Sequence, residues 1–481
     1  MKTVRGGSYR TLSESDIKQI HAASVKILGE VGFETTHTPL LRLLEEKEGI
    51  VDWEKKRAYF PPELISRCLE QAPSEFIFYG MEEGKEIHLG ADRVYFGTGG
   101  KALYVLEENR NRRLSLLKDV ARFARLADKL EYVDFFIVPV HSHDVNINSI
   151  DVNEFYQSLK NTGRPVMGGI YNIDGLKRVV ELAAMLAGSM KKLQQRPFVG
   201  FISAITSPLK MEDDRAEILM EVARLGLPLV VSTAPVGGAT APITLAGILA
   251  MQNTEALLGV ILSQMVNPGT PIFYSAVPCT MDMRSGSFMM GGVDSGIMNA
   301  AVAQMAAYYR IPSYLTVGVT DSKLPDAQAA YESTTNSLLG ALAGGNYLHQ
   351  MFGLLDGALT ISYAQFVIDH DIVGNCVKVL QGVEVTPETL GIDVIAEVGP
   401  GGNFLSHQHT VERVRNSYYR PRVVSRQDFQ AWRKAGAQDS WQKAEEIAAK
   451  LLAEPGIKHI TDELDLKVRE HFPELIDPQT D

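Results

Sequence analysis

Eight short, nearly continuous apolar runs recur between residues 93 and 354, each separated from the next by a helical pattern. They are 93–97, 133–140, 165–170, 198–205, 228–234, 271–277, 313–318 and 346–354, at intervals of roughly 30–45 residues. The clearest unit spans 228–277. It reads PLVVSTA, the Gly-rich PVGGATAP, the long segment ITLAGILAMQNTEALLGVILSQMV, the turn Asn267-Pro268-Gly269, and a second apolar run ending FYSAV. Runs without polar alternation suit parallel strands covered on both faces. Eight strands alternating with helices predict an α/β fold, a (β/α)8 TIM-type barrel. An open doubly wound sheet also alternates but demands no particular strand number.

The flanks differ from this repeat. Leu12-Ser13-Glu14-Ser15-Asp16 reads as a helix start, and Thr38-Pro39 and Pro61-Pro62 open two more helices, so residues 1–92 form a helical N-terminal region. The barrel is expected over 93–360. A C-terminal α/β extension, 361–481, is expected to pack on it, with charged amphipathic helices near 438–452 and 460–471.

Composition narrows the function classes. A formal charge of −11 and the lack of a basic run argue against nucleic acid or an anionic membrane surface as partner. Three cysteines without paired spacing (Cys68, Cys279, Cys376) exclude a disulfide framework and fit a reducing compartment. MKTVRGGSYRTLSESD has no apolar core for a signal peptide. Segment 242–266 carries Gln252, Asn253, Glu255 and Gln264, which makes it a buried helix rather than a membrane span. A cytoplasmic protein is expected.

In a barrel, chemistry sits where loops leave the C-terminal strand ends. Gly97-Thr98-Gly99-Gly100-Lys101-Ala102 fits G-x-G-x-x-A, but Leu103-Tyr104-Val105 reads extended where a nucleotide loop needs a helix. His141 and His143 would present two imidazoles on one side of an extended segment; a catalytic metal would need a third ligand, such as Asp144 or His349. His349 and Gln350 form a polar pair inside the last apolar run, and alternation puts His349 with Met351 on one face and Gln350 with Phe352 on the other. Such a pair is satisfied internally or by a ligand. The aromatics Tyr95, Phe96, Tyr171, Tyr274 and Phe352 are ordinary core residues taken singly. Converging on one mouth, they would make a cage for a quaternary ammonium.

Three segments carry a resemblance: STAPVGGATAPITLAGILAMQNTEALLGVILSQMVNPGTPIFYSA, GVTDSKLPDAQ and GPGGNFLSHQHTVERVR are similar to the trimethylamine methyltransferase family, and the similarity extends over almost the whole chain. The resemblance implies a barrel enzyme that moves a methyl group from a methylamine to the cobalt of a corrinoid on a separate small protein. Archaeal members carry pyrrolysine at the barrel's centre. This chain has only standard residues in the comparable region, near 317–323. Members without pyrrolysine are similar to glycine betaine methyltransferase and to relatives acting on proline betaine, carnitine or γ-butyrobetaine. A quaternary amine, glycine betaine foremost, is therefore the expected methyl donor.

A methyl group on quaternary nitrogen leaves behind a neutral amine, so displacement needs orientation and desolvation rather than an acid. On that reading Tyr95, Phe96, Tyr171 and Phe352 wall the trimethylammonium end. His349, the candidate catalytic residue, meets the carboxylate end together with Gln350 and Arg310, the last lying near the start of strand seven. Gly237 and Gly238 would let a corrinoid approach closely. The corrinoid-binding pattern D-x-H-x-x-G is absent, since in Asp369-His370-Asp371-Ile372-Val373-Gly374 the His comes one position early. Cobalamin is thus expected on a partner protein, with no metal in this chain, and a homo-oligomer is expected. The other readings are a metal-dependent barrel hydrolase using His141 and His143, and a non-catalytic betaine-binding protein.

Overall fold

A computed structural model describes residues 4–478. All eight apolar runs are strands: β1 (Arg93–Phe96), β2 (Phe136–Ile137), β3 (Val166–Gly169), β4 (Val199–Ile205), β5 (Leu229–Thr233), β6 (Ile272–Ala276), β7 (Ser313–Thr316) and β8 (Tyr347–His349). Each pairs in parallel with its neighbours in chain order, and β8 pairs with β1. The ring closes between the first two strands through the parallel bridge Gly97–Phe135, with Asp134 N donating to the Phe96 carbonyl at 2.7 Å. Gly97 is required there, because a Cβ would lie 2.2 Å from the Phe135 ring. The open-sheet alternative is therefore excluded.

Helices α1 (Leu117–Lys129), α2 (Ile150–Asn161), α3 (Ile173–Ala187), α4 (Asp213–Leu225), α5 (Leu245–Val266), α6 (Val293–Tyr309), α7 (Ala327–Leu342) and α8 (Tyr363–Gln381) follow the strands in turn. The last lies beyond residue 360, where the barrel was expected to end, and occupies the eighth helix place. Among the described residues α5 alone is long and apolar enough to cross a membrane, and it is mostly buried inside the protein. Its polar residues bond to the surrounding elements. Gln252 Nε2 donates to the Ser275 carbonyl (3.1 Å), and Asn253 Nδ2 donates to Ser24 Oγ (2.7 Å) on the first N-terminal helix.

The N-terminal region contains the three expected helices, Glu14–Glu30, Thr38–Glu46 and Pro62–Gln71, and Ser13 and Asp16 form a capping box on the first. It adds short strands, including the hairpin Glu75–Phe78/Ile87–Gly90. Phe78, Ile87 and Leu89 of that hairpin join Tyr95, Phe135, Ile137, Met167, Val230, Phe273, Tyr314 and Tyr347 in one apolar cluster. The hairpin thus plugs the N-terminal end of the barrel and leaves open the end where the loops after the strands gather.

Candidate active site

Inside the barrel a column of rings rises toward that open end. Phe135 stacks on Tyr347, Tyr347 on Tyr314 (5.6 Å between centroids, 17° between planes), and Tyr314 on His349 (3.8 Å, 25°). Above the column lies a cavity of about 370 Å³, lined by Lys101, Tyr171, Arg215, Tyr314, His349 and Gln350 with small and aliphatic residues between them. The size is that of a small-molecule site.

His349 is 2% exposed. Its Nε2 lies 2.9 Å from Thr316 Oγ1, and Thr316 donates in turn to the Ala276 carbonyl at 3.4 Å, which assigns the imidazole proton to Nε2. Among the described residues neither Nδ1 nor Gln350 Oε1 has a partner. Burial drives the His349 pKa far below its ordinary value, so the ring is neutral, with its one proton on Nε2 and none on Nδ1. The strand ends at His349, because Gln350 adopts φ +62°. This break corrects the alternation expected from sequence: His349 and Gln350 both face the cavity, while Met351 Sδ turns to Ser337 Oγ on α7 and Phe352 packs on Phe366 of α8.

Across the ring from β7 and β8, the end of β3 is charged. Lys101 Nζ lies 2.6 Å from Glu154 Oε2 and 4.6 Å from the centre of the Tyr171 ring. Burial pulls the ammonium's pKa down, but Glu154, Tyr171 and Asp151 more than offset it, so Lys101 is charged. Glu154 also accepts from Ser142 N (3.0 Å), and Tyr171 N donates to Asp151 Oδ2 (3.1 Å). Burial pushes Asp151 up to about 6. Arg215 donates to the Ile170 carbonyl at 2.6 Å. The Tyr171 hydroxyl meets His141 Nδ1 at 2.5 Å, and His143 Nδ1 meets the Ser115 carbonyl at 3.1 Å. Among the described residues no three His, Cys, Asp or Glu side chains group as metal ligands.

Of the residues singled out in the sequence, the cavity gathers His349, Gln350 and Tyr171. The others lie elsewhere. Tyr95 points into the barrel below the cavity, where its hydroxyl accepts from His88 N at 3.1 Å on the plug. Phe96 belongs to the layer between strands and helices, as does Phe352. Arg310 caps α6 at the N-terminal end of the barrel in the left-handed conformation (φ +56°), too far down to meet a ligand at the mouth. Gly237 and Gly238 sit in the loop after β5, and that loop is tied to the loop after β6 by Gly237 N to the Cys279 carbonyl (3.0 Å). A Cβ on Gly237 would come 2.5 Å from Ile248, so its smallness serves packing. In segment 317–323, Asp321 accepts from Met290 N and Gly291 N (3.0 and 3.1 Å), which holds the loop against its neighbour.

Sequence reasoning passed over Lys101, Arg215, Glu154 and Tyr314. Lys101 carries a signal, a cation in a Gly-rich loop leaving a strand, which the nucleotide-like pattern of 97–102 hides. Glu154 lies in a helix where every residue from Ile150 to Leu159 is buried, and a buried carboxylate requires a partner.

The trimethylamine methyltransferase (MTTB) family matches residues 2–477. The chain is 33% identical to the trimethylamine methyltransferase MttB of Desulfitobacterium hafniense strain DCB-2, over 93% of this chain and 90% of that one. It is 32% identical to the glycine betaine methyltransferase of D. hafniense strain Y51, over 89% of each. The crystal structure of the Methanosarcina barkeri monomethylamine methyltransferase MtmB aligns with 93% of this chain and 95% of its own, with a TM-score of 0.46 and 11% identity. With a match that runs from end to end, the chain belongs to the trimethylamine methyltransferase family.

Proposed function

We propose that this methyltransferase takes a methyl group from a carboxylated quaternary amine, glycine betaine foremost, and passes it to the Co(I) of a corrinoid held by a partner protein. The observation that carries the reading is the two-sided cavity. The His349 ring at the top of the column, backed by Tyr314 and with its Nδ1 unprotonated, suits a trimethylammonium group, which is cationic and has no hydrogen to donate. Lys101 and Arg215 across the barrel suit a carboxylate. In the transfer the methyl carbon moves to the acceptor, and the electron pair of the broken C–N bond stays on nitrogen as a neutral tertiary amine. No acid is needed, in keeping with a neutral His349. The residues bind, orient and exclude water.

The rim supports a protein-borne acceptor. Ile243 after β5, with Met283 and Phe288 on the small hairpin after β6, are large apolar side chains left exposed beside the cavity's open end. Replacing Met283 and Phe288 together by Asp is expected to slow transfer to a corrinoid protein about tenfold or more. Transfer to free cob(I)alamin, measured by the same absorbance change, is expected to stay unaltered.

The direct test incubates the protein with cob(I)alamin and a panel of betaines and methylamines while methylcobalamin formation is followed by absorbance. Turnover is expected with at least one carboxylated quaternary amine. Turnover with trimethylamine and with no quaternary amine would overturn the reading.

A further inference from the structure

Beyond the barrel, one segment breaks the rule that apolar chain is covered. Not one residue from 381 to 422 is buried, although the stretch is rich in apolar residues. Val383 is 88% exposed, Leu405 80% and Tyr418 78%; Val385, Leu390, Ile392, Ile395 and Val411 are exposed as well. The short helices Pro387–Leu390, Ile392–Val398 and Gln408–Arg413 bury nothing at all. Helices of this length do not hold themselves together, and the composition is too apolar for a solvated linker. Both ends of the segment are nonetheless fixed to one helix. It leaves α8 at Gly382 and returns where Tyr419 Oη donates to the Asp371 carbonyl (3.3 Å) and Val423 N donates to Asp371 Oδ2 (2.8 Å). An arm anchored at both ends and uncovered along its length marks an interaction surface.

Two observations identify what covers it. The first is position. Helix α8 starts beside the mouth, where Ser362 N bonds the Gly353 carbonyl, and Val377 near its end lines a cavity with Val4 and Val94 at the start of β1. The arm therefore leaves from the plugged end of the barrel, away from any partner that must reach the mouth. The second is charge. Residues 382–402 contain Glu384, Glu388, Asp393 and Glu397 and no Lys or Arg, whereas 403–426 contain Arg413, Arg415, Arg420, Arg422 and Arg426 against one acid, Glu412. Glu388–Arg413 and Glu397–His407 pair within the arm, but Glu384, Asp393, Arg415 and Arg426 form no ion pair among the described residues. An arm acidic in its first half and basic in its second is complementary to itself when two copies meet about a two-fold axis.

We infer that the arm 383–426 is the contact through which two copies of this chain associate, with antiparallel arms joining apolar faces and opposite charges, and with both mouths left free. Its length supplies the twenty to thirty residues per side of an ordinary stable interface.

The test is the mass in solution by light scattering coupled to size exclusion. The wild-type chain is expected at a multiple of 52.9 kDa, and Leu405→Glu combined with Ile392→Glu is expected to reduce it to the single-chain mass with an unchanged circular dichroism spectrum. Charge reversal separates self-association from other occupants. Glu384→Lys with Asp393→Lys makes the arm predominantly basic, and Arg415→Glu with Arg426→Glu makes it predominantly acidic. Each is expected to be monomeric alone and to pair when the two are mixed. A wild-type chain that runs at the single-chain mass at micromolar concentration would overturn the inference. So would arm variants that keep the oligomer, or that lose the corrinoid protein's binding instead.

Discussion

Lys101→Met is expected to lower the stability of the protein by about 3–5 kcal/mol, read as the shift in its denaturation midpoint. The cause is the partner left behind. Glu154 is only 1% exposed, and it is held by one charged donor, Lys101, and one neutral donor, Ser142 N. With the ammonium gone, an ionised carboxylate stays in a site with no cation beside it, or takes up a proton at a cost of similar size. Removing both charges as Lys101→Met/Glu154→Gln should return most of the loss, because the glutamine oxygen still accepts from Ser142 N. The double variant then isolates the ligand role. It is expected to bind glycine betaine ten- to a hundredfold more weakly than wild type, the loss of one charge-assisted contact. Binding of tetramethylammonium, which has no carboxylate, should be nearly unchanged, as titration calorimetry would show. Equal weakening for both ligands would remove Lys101 from the carboxylate end.

The barrel was legible in the sequence because its signal is periodic and redundant. Eight runs, each apolar on both faces, leave few arrangements, and all eight are strands. The site was less so. Tyr171 and His349 could be placed at strand ends by counting, but which face each strand presents depends on where the strand stops. Gln350 in the left-handed conformation ends β8 one residue after the pattern still looks extended, and so turns Phe352 into core. Tyr95 failed for a different reason. It faces inward, as a cage residue should, but in a lower layer that the hairpin plug fills, and nothing local to Arg93–Phe96 announces a plug supplied by residues 75–90. Arg310 was drawn in by chemistry alone; its place at the beginning of a strand is the stability end of a barrel rather than the reactive end. Lys101 and Arg215 reach the cavity from a loop after β1 and the first turn of α4, a convergence that only closure of the ring creates.

Asp369 provides the last expected result, a pH dependence with a definite sign. The residue lies on α8, 1% exposed, with Oδ2 accepting from Gly353 N (2.7 Å) and Oδ1 from Gln365 Nε2 (2.8 Å). Burial outweighs these two bonds and pushes its pKa up to about 8. An unfolded Asp titrates near ~3.9, so between that value and about 8 the folded chain holds one proton that the unfolded chain has lost. Stability contributed by this group therefore falls as pH rises through that window and is flat above it. Asp369→Asn is neutral at every pH. Its amide is accommodated by rotating Gln365, whose Oε1 has no partner among the described residues and would then accept from Asn Nδ2. Relative to wild type, Asp369→Asn is expected to gain about 1.4 kcal/mol per pH unit, or about 4 kcal/mol between pH 5 and pH 8. Paired denaturation curves at half-unit steps measure the difference directly, and other carboxylates cancel because both proteins carry them. A difference that stays constant from pH 5 to 8 would mean that Asp369 is ionised throughout, with its two donors outweighing its burial.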